Sequence, residues 1–289
     1  MDVKYDTVGT DIAEGMRQGA GPDTGELGSL DAPHCGISYA AVTDVGLRKK
    51  TNQDSYCARV MPSRGGQAFF AIVCDGVGGL SYGEMASAYV VEAFSRWFST
   101  EYAAADTPTV PNEIAASWAK LISACNSSIY AKAKALGSKI GTTLTAILVY
   151  EGYGFVAVNI GDSRIYWMRD AIKQITNDHT AAQAAIAAGE LTAETALHDK
   201  RKNVLTRCVG AFPEVAPDFF KGSMATRDLI LLCSDGLRGK VSDTELYQLL
   251  SPFRGESSAD MSAILRDIIE TGKSRGEKDN ITAILARLA

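Results

Sequence analysis

The chain has 289 residues, of which 46% are hydrophobic and 22% charged, enough apolar material for a sizeable core and too much for a disordered chain. Its 29 basic residues are outnumbered by 34 acidic ones, a net charge of −5, and nothing in this balance suggests the clustered Lys and Arg that nucleic acid or an anionic membrane requires. Its six cysteines (Cys35, Cys57, Cys74, Cys125, Cys208 and Cys233) form no C-x-x-C pair, so zinc clusters and dithiol redox motifs are not expected.

Residues 1–33 are rich in Gly, Asp and Thr, carry no sustained periodicity and end at Pro33, the pattern of a flexible tail. A docking segment or extra edge structure is the other reading of the same residues. From residue 36 onward, short runs rich in β-branched and aromatic residues recur at 36–43, 67–74, 143–150, 153–160, 163–168, 228–234 and 281–287. Short links such as Glu151-Gly152 favour antiparallel hairpins. Between the strands, residues 83–102 place Ala86, Tyr89, Val90, Ala93, Phe94, Trp97 and Phe98 on one helical stripe. Residues 112–136 do the same with Ile114, Trp118, Leu121, Ile122, Cys125 and Ile129. Ser242 and Glu245 have the spacing of a capping box. A last helix is expected over 258–271, with Met261, Ile264, Leu265, Ile268 and Ile269 inward and Gly272 as its stop. Hairpins with segregated helices predict an α+β fold, a single domain over 34–289. No apolar stretch approaches the ~18 residues of a membrane span and nothing at the start reads as an export signal. A cytoplasmic protein with reduced cysteines is the expectation.

Acids stand where strands end. Asp75 follows the apolar run 68–74, Asp162 follows 155–161, Asp235 follows 229–234, Asp279 precedes the last strand, and Asp54 lies beyond the first. An aspartate after a strand is commonly a turn former or helix cap. Five in comparable places, several beside glycine, need a shared explanation, because carboxylates gathered at buried strand ends repel unless a counter-charge is present. An all-oxygen ligand set favours Mg²⁺, Mn²⁺ or Ca²⁺ over zinc or copper. The turn Asp75-Gly76-Val77-Gly78-Gly79 also leaves a backbone carbonyl within reach of such an ion. This pattern points to a metal-assisted hydrolase or a phosphoryl-transfer enzyme.

The same residues carry a family resemblance. In order along the chain stand Thr43-Asp44-Val45-Gly46 through Asn52-Gln53-Asp54, Asp75-Gly76-Val77-Gly78-Gly79 with Gly83-Glu84-Met85-Ala86-Ser87, and Gly141-Thr142-Thr143-Leu144. They are followed by Asn159-Ile160-Gly161-Asp162-Ser163-Arg164, Thr176-Asn177-Asp178-His179, Asn203-Val204-Leu205-Thr206-Arg207 with Gly210, Ser234-Asp235-Gly236-Leu237, and Asp279-Asn280-Ile281-Thr282. In these segments the sequence resembles the metal-dependent type 2C (PPM) serine/threonine protein phosphatases in their bacterial form. The resemblance implies a four-layer α-β-β-α sandwich with two central antiparallel sheets, and at one end of it two divalent cations, Mn²⁺ or Mg²⁺, with a weaker third ion. It implies that Asp75 bridges the pair, that the Gly76 carbonyl ligates one ion, and that Asp235 and Asp279 complete the first site. Asp54 would act directly or through water, Asp162 would help hold the third ion, and residues 179–203 would form a flap beside the site. The cations would activate a water for in-line attack on phosphoserine or phosphothreonine, with no phosphoenzyme.

The sequence departs from the family at the phosphate grip. The usual Arg, five residues before the first-motif aspartate, is Lys49 here, with Arg48 one place earlier. Lysine binds phosphate as a point charge without a fork, and neighbours in an extended strand point apart, which favours Lys49 over Arg48. No histidine stands at Val77 or Leu80, where relatives carry one, and His179 reads as structural, as do Arg164 and Arg207. Expected partners are phosphorylated Ser/Thr proteins and, by family analogy, a cognate Ser/Thr kinase, with the chain a monomer. The alternatives are a catalytically silent pseudophosphatase acting as a binding module and a phosphatase for small phosphoesters. The absence of a G-K-[S/T] ending after Gly76–Gly79 argues against a P-loop.

Overall fold

A computed structural model of the chain describes residues 36–63, 66–77, 82–105, 109–253 and 257–289. The expected tail 1–33, together with His34, Cys35 and Gly78, Gly79 and Leu80 of the glycine turn, lies outside the described residues.

Among the described residues, ten strands form two five-stranded antiparallel sheets. In the first, the order is β1 (Ile37–Asp44), β10 (Ile281–Leu288), β9 (Leu229–Cys233), β6 (Arg164–Met168) and β7 (Ile172–Gln174). In the second it is β2 (Asp54–Ser63), β3 (Gly66–Asp75), β4 (Leu144–Tyr150), β5 (Gly154–Ile160) and β8 (Asp218–Ser223). The period of two along each strand sorts its residues between two cores. Phe69, Ala71 and Val73 of β3 meet Ile230, Leu232, Ile284 and Ala286 of the first sheet in the layer between the sheets. Phe70, Ile72 and Cys74 turn the other way, onto α1 (Gly83–Trp97) and α2 (Pro111–Ala135), where Phe94, Trp97, Trp118 and Ile122 are buried. On the outer face of the first sheet, Leu231, Cys233, Ala283 and Leu285 pack beneath Leu237, Leu246, Met261, Leu265 and Ile268. These belong to α5 (Asp235–Arg238), α6 (Asp243–Leu250) and α7 (Ser258–Ser274). The result is the four-layer α-β-β-α sandwich. Strands covered on both faces read as unbroken apolar runs, which is why they stood out in the sequence.

Both long helices lie where the stripes placed them, although 98–102 closes the first as a π-helical turn. The Ser242–Glu245 capping box is present in both directions. Three strands escaped the sequence reading: β2, β7 and β8. One helix end was also misplaced. Gly272 is buried inside α7 and the helix runs on to Ser274; the left-handed residue beyond it is Gly276, with φ 85°. Gly272 lies against Val241 and Glu277 rather than in a turn. Among the described residues, no helix is long and apolar enough to cross a membrane.

Candidate active site

The acids converge because strand ends converge. In the β2–β3 register Asp54 stands opposite Asp75, so one hairpin delivers two of them to the same end of the second sheet. Asp235 opens α5 directly after β9 and Ser234, and Ser234 Oγ donates to Asp54 Oδ2 at 2.8 Å, tying the ends of the two sheets together. Asp279 arrives just ahead of β10. Gly236 makes that approach possible, since a Cβ there would collide with the Asn280 carbonyl. Asn280 then pins the loop leading into β2: its Oδ1 accepts from the Gln53 N–H at 2.9 Å and its Nδ2 donates to the Val45 and Thr51 carbonyls. Gly46, at φ 75°, lies against the Asp279 carbonyl so tightly that no side chain would fit. Asp75 is fixed by Thr143, whose Oγ1 accepts from the Asp75 N–H at 2.8 Å, and by Thr142, which donates to the Asp75 carbonyl at 3.0 Å. Gly76 is buried beside it and donates to the Gln53 carbonyl at 3.0 Å.

The electrostatics of this cluster are unbalanced. Burial, then Asp54, Asp235, Asp162 and Asp279, push Asp75 well above the usual carboxylate range. Burial pushes Asp54 up to about 7, with Asp235 and Asp279 adding to it against hydrogen bonds from Thr282 and Ser234. Asp235 is raised by burial, Asp279 and Glu277, although Arg238 and a hydrogen bond with Asp75 oppose them. Two buried carboxylate oxygens, Asp54 Oδ1 and Asp235 Oδ1, have no hydrogen-bond partner. Among the described residues no three His, Cys, Asp or Glu side chains form a ready-made cage for an ion. What fits a cation is the unmet demand of these oxygens, in an all-oxygen donor set suited to a hard divalent ion.

Lys49 faces the acids. Its Nζ lies 2.8 Å from Asp279 Oδ1. Burial alone would lower its pKa, but the Asp279 bond and the charges of Asp75 and Asp235 outweigh it and raise it. Arg48 is exposed. Arg48 lies in a turn and Lys49 just after it, not in an extended strand, so the alternation expected of a strand does not separate them.

Asp162 stands at the edge of the group, 5% exposed, and its partner was missed from the sequence. Arg238 Nη2 donates to Asp162 Oδ2 and to the Asp162 carbonyl, each at 3.0 Å. Burial, Asp235 and Asp178 push Asp162 up to about 7 in spite of Arg238. The only signal in the sequence is the spacing of three from Asp235, which one helical turn brings to the same end. Arg164 is committed to Asp178 through two bonds of 2.8 and 2.9 Å, a structural role. His179 Nδ1 accepts from the Gly161 N–H at 3.2 Å, and Nε2 lies 3.2 Å from Asp218, so the ring holds the turn before Asp162. Arg207 pairs with Asp218 at 2.6 Å. Within residues 179–203 the chain forms α3 (Ala181–Ala187) and α4 (Ala193–Ala196), with Leu197 exposed directly after α4.

Comparison with known proteins covers nearly all of this architecture. The family model described as protein phosphatase 2C matches residues 47–286. The chain is similar to the serine/threonine phosphatase Stp of Listeria monocytogenes, 33% identical over 248 residues that span 84% of this chain and 92% of that one. It superposes on the crystal structure of the phosphatase Stp1 from Staphylococcus aureus with a TM-score of 0.75, at 26% identity, covering 90% of this chain and 100% of that one. The catalytic domain of PstP, solved in complex with two manganese ions, superposes with a TM-score of 0.69 at 30% identity, covering 89% of this chain and 100% of that domain.

Proposed function

This chain belongs to the protein phosphatase 2C family, and we infer that it hydrolyses phosphoserine and phosphothreonine in proteins through attack by a metal-activated water. The observation that carries this is the pair of orphaned, buried oxygens on Asp54 and Asp235 inside a ring of acids. Asp54, Asp75, Asp235 and Asp279, with the Gly76 carbonyl, would hold two divalent cations, Mn²⁺ or Mg²⁺. When bound, the cations would acidify a water and neutralise charge that builds on the phosphoryl oxygens.

The chain's own residues supply the rest. Lys49 lies beside Asp279 with its ammonium held charged, placed to take the substrate phosphate as a point charge, while Arg48 points to solvent. Thr142 and Thr143 hold the backbone of Asp75 in register. Asn280 and Ser234 keep the two sheet ends from separating, so the acids remain together despite their repulsion. His179, tied to Gly161 and Asp218, is not free to protonate a leaving group. The described residues from 36 onward act as one catalytic domain, a cytoplasmic monomer whose partners are Ser/Thr phosphoproteins and the kinase that modifies them.

The test is phosphate release from a phosphothreonine peptide by the purified protein. Release that requires Mn²⁺ and stops with excess EDTA is expected, and a kcat/KM for the peptide well above that for free O-phosphothreonine separates a protein phosphatase from a small-ester one. A folded protein that releases nothing in Mn²⁺ or Mg²⁺ would overturn the assignment.

A further inference from the structure

Arg238 occupies an unusual place. It ends the single turn of α5 that Asp235 begins, and its guanidinium folds back among the acids with the side chain only 15% exposed. Nη2 reaches both the side-chain and main-chain oxygens of Asp162 at 3.0 Å and lies 3.6 Å from Asp178 Oδ2. Asp178 is held on its other side by Arg164, so Arg238 is the guanidinium that Asp162 and Asp178 share. Among the described residues, the buried carboxylate oxygens without a partner belong to Asp54 and Asp235, whereas Asp162 already has a cation against it; Arg238 Nε itself is buried without a partner, so the guanidinium is held through Nη2.

Resemblance to the family assigns Asp162 to a third ion, and the residues present do not fit one. A guanidinium cannot shed its proton to make room, as a lysine could. Any divalent ion ligated by Asp162 would meet that fixed charge at close range in a poorly solvated place. We propose that Arg238 takes, as a built-in cation, the position that would otherwise be held by a third ion, so that this chain binds two ions and not three. Arg238 is then a positioning residue: it fixes Asp162 and shares the field that acts on Asp235. The inference rests on the two-ion reading above.

The experiment counts Mn²⁺ per chain by equilibrium dialysis and metal analysis, from micromolar to millimolar free Mn²⁺, with circular dichroism on each variant. The quantity read is the number of ions lost on Asp162→Asn. In the wild-type background the expected loss is zero, with two ions bound before and after. In an Arg238→Thr background the expected loss is one, from three ions to two. Arg238→Gln replaces Arg238→Thr if the latter does not fold. An Asp162-dependent ion in the wild type would overturn the proposal and leave the phosphatase assignment standing. So would the absence of one in a folded Arg238→Thr or Arg238→Gln protein. A wild type that binds no Mn²⁺ would overturn both.

Discussion

Strand β9 has an aspartate at each end, and the two have opposite characters. Asp228, immediately before the strand, is fully buried and fully answered. It receives Trp167 Nε1 at 2.7 Å, Arg169 through Nε and Nη2 at 2.6 and 2.8 Å, and the Ala225 N–H at 2.8 Å. Asp235, just past the other end, keeps a buried oxygen with no partner and sits among four more acids. Burial is common to both, so burial does not mark a site; the missing donors do. One end of the strand is finished by the protein itself, and the other leaves an acceptor unanswered.

The largest break in this contrast comes from exchanging each acid for its amide. Asp235→Asn, or Asp75→Asn, should lower kcat by about a thousandfold or more, with the circular dichroism spectrum unchanged. Near-normal turnover in either would remove the metal assignment. Asp228→Asn should do the reverse: it leaves kcat per folded molecule alone and lowers the unfolding free energy by about 1–3 kcal/mol, read from urea titrations, because one oxygen's donors lose their acceptor.

A second contrast is in pH. Asp54 and Asp162 have folded pKa values raised to about 7, against an ordinary value of 3.8, and Asp75 and Asp235 are raised too. Between pH 4 and 7 the metal-free folded chain therefore holds more protons than the unfolded one, and its stability falls as pH rises. His179, whose pKa is lowered chiefly by burial, works the other way but is one group against four. Thermal melts in EDTA should show a midpoint several degrees lower at pH 8 than at pH 5, a loss that Mn²⁺ reverses. A midpoint that rises across this interval would contradict the cluster's electrostatics. The smallest effect is at the edge of the site. Lys49→Ala should raise KM about tenfold, near 1.4 kcal/mol, with little change in kcat. An unchanged KM would transfer the phosphate contact to Arg48.

What the sequence disclosed follows the same division between covered and uncovered chain. β3, β4, β5, β9 and β10 are buried on both faces, so their unbroken apolar runs were plain within a residue or two. β2 and β8 are the edges of the second sheet, and β7 is an edge of the first. Their residues are mostly half-buried or exposed, as in Asp218–Ser223, and they are held by backbone pairing to one neighbour, which leaves little mark on composition. Gly272 looked like a helix stop because a glycine near the end of a helix is usually a turn; it is a buried residue of the last helical turn instead. The acids could be read because they sit at strand ends, but Asp228 shares that trait and is no part of the site. Only Trp167 and Arg169, some sixty residues earlier, decide its role. The Arg238–Asp162 pair spans 76 residues and was hidden for the same reason.

The pairing of β1 with β10 has a consequence in time. Thr43 and Thr282, joined by their hydroxyls across that ladder, are 239 residues apart, and β10 is the inner partner that links β1 to β9. A ribosome emitting this chain therefore exposes Asp54 and Asp75 long before Asp279 exists. Until β10 emerges and threads between its two neighbours, the first sheet stays divided and Asp279 has no place beside the other acids. The cluster of acids is in this sense incomplete until β10 is in place, and a proteolytic nick that released β10 would take it apart again.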